Sequence, residues 1–263
     1  MRWITVCVLL TLPVSRVAAE SFDHSAWDEL LKRSVVAVQD GKGTQVNYDG
    51  LVAERQKLDA YLAKTSGVAQ RDFDAWPSAE RLAFLINTYN ARTVQLVLTK
   101  YPGLASIKDL GSFLQSPWKK RFFELLGATR SLDDIEHGMI RAGSYHEPRI
   151  HFAVNCASIG CPALRAEAFT GERLTAQLDA AARDFLADHS RNRLSGQVLE
   201  VSSIFKWYRE DFEKGWGGFT SLSQFLASYA EALGISGTAL ETLKKNELEI
   251  DFLDYDWNLN RTK

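Results

Sequence analysis

One segment constrains the fold of this chain more than any other. After Trp76-Pro77-Ser78 it runs AERLAFLINTYNARTVQLVLTKYPG, stopping only at Pro102-Gly103. Proline is tolerated at a helix start and breaks a helix interior, and a serine oxygen can cap the first turn. The spacing therefore predicts one long helix between these marks, with Ser78 as its N-cap. At about 100° per residue, Leu82, Leu85, Ile86, Tyr89, Leu96 and Val97 share one broad apolar face. Asn90 falls inside that face and Asn87 at its edge. A buried amide left without partners costs roughly 1–3 kcal/mol, so each must bond a neighbouring backbone or help shape a polar site.

Elsewhere the hydrophobic period predicts more helix than strand. Residues 24–36 put Trp27, Leu30, Leu31 and Val35 on one side of a helix, and residues 51–65 form a second that Gly67 ends. Residues 112–126 are aromatic and mostly helical, closed by Gly127. Ser131 followed by Asp134 reads as a capping-box start for SLDDIEHGMIRAG, where Leu132, Ile135, Met139 and Ile140 make the apolar stripe. Glu136 projects inside that stripe and His137 lies at its border. A carboxylate rarely occupies a buried face without a partner. Further helices are expected over 172–186, 204–212 and 222–233, and short strands over 44–48, 149–155, 198–201 and 250–252. No linker-like composition interrupts them, so the expected class is α+β, a helix-rich single domain spanning 22–263 with a small sheet of short strands.

The first residues, MRWITVCVLLTLPVSRVAAESF, carry Arg2, an apolar run from Trp3 to Val14, and small residues at Val17-Ala18-Ala19. This pattern predicts a secretory signal over 1–19, cleaved after Ala19; the apolar run is too short for a membrane anchor. The expected location is exported, periplasmic, with no membrane association after cleavage. With 31 basic and 33 acidic residues the net charge is -2, which gives no electrostatic case for nucleic acid. The basic knot Lys119-Lys120-Arg121 reads as a solvated helix edge.

Cleavage would leave two cysteines, Cys156 and Cys161, in RIHFAVNCASIGCPALR. In an exported protein a disulfide between them is the default, and Gly160 lets the chain turn enough to close the loop. The competing reading is a catalytic thiol. A thiolate at neutral pH needs a nearby imidazolium or helix N-terminus, and the sequence offers His137 and His151 as bases, with Glu136, Asn87 and Asn90 to orient an imidazole. On an extended strand His151 and Asn155 face one side and Cys156 the other, which favours His137. Four residues separate the cysteines, more than in the redox motif with two between. No recognised zinc spacing, phosphate loop or nucleotide fingerprint occurs, so no metal or cofactor is expected.

FLINTYNA, SLDDIEHGMIR, EPRIHFAVNCASIGCP and LDYDWNLN, in this order, resemble the Domain of Unknown Function 547 family across roughly residues 24–260. The resemblance matches its Asn-x-Tyr-Asn-Ala run at Asn87, Tyr89, Asn90 and Ala91, its Glu-His pair at Glu136-His137, and its His-Phe-Ala at His151 to Ala153. It implies an exported bacterial member and no settled activity. The expectation from the residues is a thiol-dependent hydrolase or acyl transferase acting on an amide or thioester bond of a small-molecule or peptide ligand. Cys156 is the nucleophile, His137 the base with His151 as the other candidate, Glu136 the orienting group, and Asn87, Asn90, Asn155 and Tyr89 the substrate contacts. Two alternatives stay open: a non-catalytic binding or scaffold domain stapled by a Cys156–Cys161 disulfide, and a thiol redox or metal-binding domain.

Overall fold

A computed structural model describes residues 21–38, 43–112 and 115–262; the expected leader at 1–19 lies outside the described residues. Helix α1 (Ser25–Ser34) buries Trp27, Leu30 and Leu31, the i, i+3, i+4 set of one helix face. At Val35 the chain turns into β1 (Val35–Ala37), paired antiparallel with β2 (Thr44–Val46). The Asn47 side chain accepts from the Gly50 amide and starts α2 (Tyr48–Ala53). The helix expected over 51–65 breaks at Glu54, so α3 (Arg55–Ser66) is a separate element, followed by α4 (Gln70–Ala75).

Helix α5 (Ser78–Leu98) is the long helix the prolines demanded, with Pro77 rather than Ser78 as its cap residue. It is more buried than one face allows, since residues 82–94 are all buried. Two hydrophobic clusters enclose it. Phe84, Leu85, Ile86 and Tyr89 pack with Phe123, Leu125 and Ile135, while Ala91, Val94 and Val97 pack with Trp27, Leu58 and Leu62 from α1 and α3. Each such large side chain contributes about 1.5–3 kcal/mol by leaving water, which makes α5 the axis of the molecule.

Two expected elements differ. The aromatic stretch 112–126 contains no α-helix among its described residues. A 3-10 turn at Pro117–Lys119 leads into a hairpin of β3 (Phe123–Leu125) and β4 (Ala128–Arg130). Phe123 and Leu125 are buried on either side of exposed Glu124, a period of two, and the connecting Leu126-Gly127 both take positive φ, as a tight hairpin turn requires. The second difference is at 149–155: the expected strand is a 3-10 helix, Pro148–Phe152, with Pro148 in its first turn and the Glu147 carboxylate accepting from the Arg149 amide.

The second half is led by α6 (Leu174–Leu186). Strands β5 (Arg193–Ser195) and β6 (Val198–Ser202) pair antiparallel. The crossover from β6 holds α7 (Ile204–Trp207), α8 (Arg209–Glu213), α9 (Leu222–Ser228) and α10 (Gly237–Lys244), and returns as β7 (Glu249–Leu253), parallel to β6. A third cluster around Phe152, Phe205, Phe212 and Phe225 fills the space beneath. The fold is α+β, helix-rich with small sheets. Residues 254–262 then run back across the molecule, and the Ile159, Gly160 and Val46 amides donate to carbonyls at Asn258, Asp256 and Asn260.

Candidate functional site

Asn90 and Asn155 hold the cysteine loop from below, and Asn87 holds the segment that follows it. Asn90 Nδ2 donates to the Ala153 carbonyl at 2.9 Å and its Oδ1 accepts from the Asn155 amide at 2.8 Å. Asn155 in turn donates to the Pro162 carbonyl at 2.7 Å and accepts from the Ala157 amide at 2.9 Å, closing the loop on itself. Asn87 grips the Phe169 backbone in both directions, at 2.8 and 3.0 Å. All three amides expected to touch substrate are thus engaged with backbone. The loop needs Gly160 for a different reason: a Cβ there would lie 3.0 Å from the Asp256 backbone and the Tyr255 ring.

Above this base stands the thiol. Cys156 and Cys161 are both free, so the expected disulfide is absent from the structure. Instead the Cys156 amide donates to Cys161 Sγ at 2.8 Å, and Cys156 Sγ lies 3.0 Å from Ser158 Oγ and 3.1 Å from Tyr255 Oη. Burial pushes the Cys156 thiol up, but hydrogen bonds from Cys161, from the Ser158 hydroxyl and amide, and from Tyr255 outweigh it and bring the thiol down to about 7. Burial and its neighbour Cys156 drive Cys161 well above the ordinary thiol range. Of the pair, Cys156 therefore ionises first and Cys161 retains its proton.

Ser131 and Asp134 form the expected capping box, with side chain to amide bonds of 2.8 and 3.1 Å. The box opens a π-helix over Asp134–Arg141, its wide turn seen in the Ala142 amide reaching back five residues to His137. Glu136 is buried, as its place in the apolar stripe predicted, and accepts from Tyr208 Oη at 2.7 Å. Arg141 Nη1 donates to His137 Nδ1 at 3.0 Å. A guanidinium only donates, so the ring proton of neutral His137 sits on Nε2, 3.8 Å from Asp133. That leaves His137 no free lone pair to take a proton from sulfur.

His151 is arranged the other way. The 3-10 turn carries it into the core, stacked on Tyr208 at 4.0 Å, and its Nε2–H donates to Asp211 at 2.8 Å. Its Nδ1 is buried with no hydrogen-bond partner. Burial lowers the pKa of His151 below the ordinary histidine value, only partly opposed by Asp211 and Glu136, so the ring is neutral at pH 7, its Nδ1 lone pair unshared, sealed from solvent and not hydrogen-bonded to Cys156. Asp211 is fully buried and held as a carboxylate. Burial would raise its pKa, but bonds from His151, Arg141 and Lys214 overcome that.

These groups meet in one cavity of about 210 Å³. Its lining joins Glu136, His137, His151, Cys156 and Cys161 with the aromatic side chains of Tyr89, Trp118, Trp207, Tyr208, Tyr255 and Trp257. Trp207 is half exposed at 47% and stacks on Trp257 at 5.6 Å, a flat apolar surface beside the thiol. Among the described residues, no three His, Cys, Asp or Glu side chains are placed to hold one metal ion.

Residues 73–186 match the sequence model of a family described as Protein of unknown function, DUF547. Over this segment the chain belongs to the DUF547 family. No curated protein and no solved structure matches it. The DUF547 segment carries α5, the π-helix and the cysteine loop, but not the whole cavity. Asp211, Tyr208, Tyr255 and Trp257 come from beyond it and were not read as site residues in the sequence. A signal existed for Asp211: it lies three positions after Tyr208 and seven after Ile204, on the apolar face of its segment, the same irregularity that marked Glu136.

Proposed function

We propose that this DUF547 protein is a thiol-dependent hydrolase or acyl transferase acting on an amide or thioester bond, with Cys156 as nucleophile and His151, oriented by Asp211, as the proton carrier in place of His137. The observation that carries the reading is a thiol lowered to about 7 in the wall of an aromatic cavity shared with a neutral imidazole whose Nδ1 lacks a partner. Sulfur attacks the acyl carbon as its proton passes to His151 Nδ1. The imidazolium gives that proton to the leaving nitrogen or sulfur as its bond to carbon breaks, leaving a thioester on Cys156. Water or an acceptor amine, deprotonated by the neutral imidazole, then attacks the thioester and releases the Cys156 thiolate. Asp211 holds the ring in the tautomer that keeps Nδ1 open and stabilises the transient imidazolium. Glu136 and Tyr208 shape the wall, and the Trp207–Trp257 surface receives the apolar part of a small-molecule or peptide substrate. The leader-like N-terminus supports an exported, periplasmic setting.

p-Nitrophenyl acetate tests this directly. A burst of one equivalent of nitrophenol, with the acetyl group on Cys156 by mass spectrometry, is expected from the wild type and not from Cys156→Ala. His151→Ala and Asp211→Asn should acylate but turn over at least about 100-fold more slowly. A protein that never acquires acetyl at Cys156 has no place for this chemistry. The adjacency of the two sulfurs favours one second reading, a reversible cystine formed with a disulfide such as oxidised glutathione, which would leave as two thiols.

A further inference from the structure

We propose that a second cavity, of about 380 Å³ between the start of α5, the end of β4 and the π-helix, binds the phosphate or carboxylate group of a small anion through Arg81 and Arg130. The π-helix separates it from the thiol cavity. Asp134, Gly138 and Met139 face the arginines, whereas Asp133, Glu136 and His137 face the thiol. The two sites share a wall and no side chain, so this inference stands independently of the thiol chemistry.

Both guanidiniums lack an answer within the protein. Arg81 Nε and Arg130 Nε are sealed from solvent without a hydrogen-bond partner. Among the described residues neither arginine has a carboxylate within ion-pair distance. Other half-buried arginines here are paired, as in Arg141–Asp211, Arg149–Glu147, Arg165–Glu167 and Arg191–Asp188. Only the Nε atoms are sealed, so the terminal nitrogens of both forks stay open to solvent, unpaired and free to take an anion's oxygens. Two of them on one cavity present planar donor forks that suit the oxygens of phosphate or carboxylate.

The one carboxylate in the wall does not fill this role. Asp134 Oδ2 accepts from the Ser131 amide at 2.8 Å and lies 3.6 Å from Arg121, and it reaches Arg130 only through space. Asp74, on the Tyr145 side, is bonded to Gln70 at 2.8 Å. Arg81 itself is set by the Phe73 ring 6.0 Å beneath its guanidinium. Gly143 is required beside the π-helix, since a Cβ there would clash with the Met139 carbonyl and crowd the Tyr145 ring at 3.1 Å.

Calorimetric titration with inorganic phosphate, and separately with acetate, decides the matter and distinguishes the two anions. One saturable site for at least one of them is expected in the wild type and unchanged in Cys156→Ala. Affinity should fall at least about tenfold in Arg81→Gln and in Arg130→Gln. Should either arginine variant fail to fold, Ser144→Glu, an exposed change on the cavity rim, places a competing carboxylate beside the guanidiniums and should abolish binding. No saturable binding of either anion, or equal affinity in these variants, overturns the proposal.

Discussion

At the scale of single residues, the chemistry turns on which groups hold a charge. The sulfur of Cys156 is surrounded by donors from Ser158, Tyr255 and Cys161, and these, not an imidazolium, bring its pKa to about 7. Alkylation by iodoacetamide should therefore rise with pH to a half-maximum near 7. Tyr255→Phe deletes a 3.1 Å donor and should move that midpoint up by about 1 pH unit, read by mass spectrometry of the Cys156 peptide. A midpoint unmoved by that change would remove Tyr255 from the thiolate's support. His24 behaves in the opposite sense. Burial pushes its imidazole from 6.5 down to about 4 beside Tyr61 Oη. The folded chain then binds this proton less readily than the unfolded one. Stability is full above about 6.5, drains away as pH falls toward 4, and is constant below, a loss of about 3 kcal/mol. Urea unfolding at pH 7 and 4.5 should show this loss in the wild type and not in His24→Gln.

At the scale of elements, what the sequence disclosed depended on whether local period and tertiary environment agreed. α5 was legible because Pro77 and Pro102 fix its ends whatever surrounds it, and β6 and β7 because their apolar and acidic residues alternate. The hairpin at Phe123–Arg130 was not: consecutive aromatics satisfy a helical and an alternating pattern equally, and only the positive φ at Leu126 and Gly127 decides between them. For the candidate site, polar residues on apolar faces, Asn87, Asn90 and Glu136, marked two helices that line the cavity. They did not reveal their jobs, because an amide's partner is a backbone atom from a distant segment, such as Ala153 for Asn90. The same reason hid the choice of histidine: reading 149–155 as a strand turned His151 away from the thiol. Asn90→Ala removes both bonds of that clamp and strands a buried amide and carbonyl. It should cost about 2–4 kcal/mol in chemical unfolding and slow Cys156 alkylation as the loop loses its fixed turn. A change within about 0.5 kcal/mol would show the loop to be held by other contacts.

At the scale of the whole molecule, one carboxylate joins parts that the chain order keeps apart. Asp211, from α8, takes Arg141 of the π-helix through Nε and Nη2, His151 of the 3-10 turn at 2.8 Å and Lys214 at 2.6 Å. The cluster around Phe212 and Phe225 is thereby tied to the wall of the thiol cavity, and the fold sets the imidazole's tautomer by the same bond that docks its second half. Asp211→Asn nearly preserves shape, but it exchanges a charge for an amide facing two cations and a ring N–H. Breaking a buried pair on one side costs about 3–5 kcal/mol, since the remaining charges stay behind unanswered. The unfolding midpoint in urea should drop accordingly. His151→Phe, which removes the ring nitrogen and leaves Arg141 and Lys214 paired to Asp211, should lose less stability, yet lose turnover of the acyl-enzyme as fully as Asp211→Asn does. If Asp211→Asn fell in stability yet kept the turnover that His151→Phe lost, Asp211 would be a structural anchor alone, and the imidazole would owe its orientation to the Tyr208 stack.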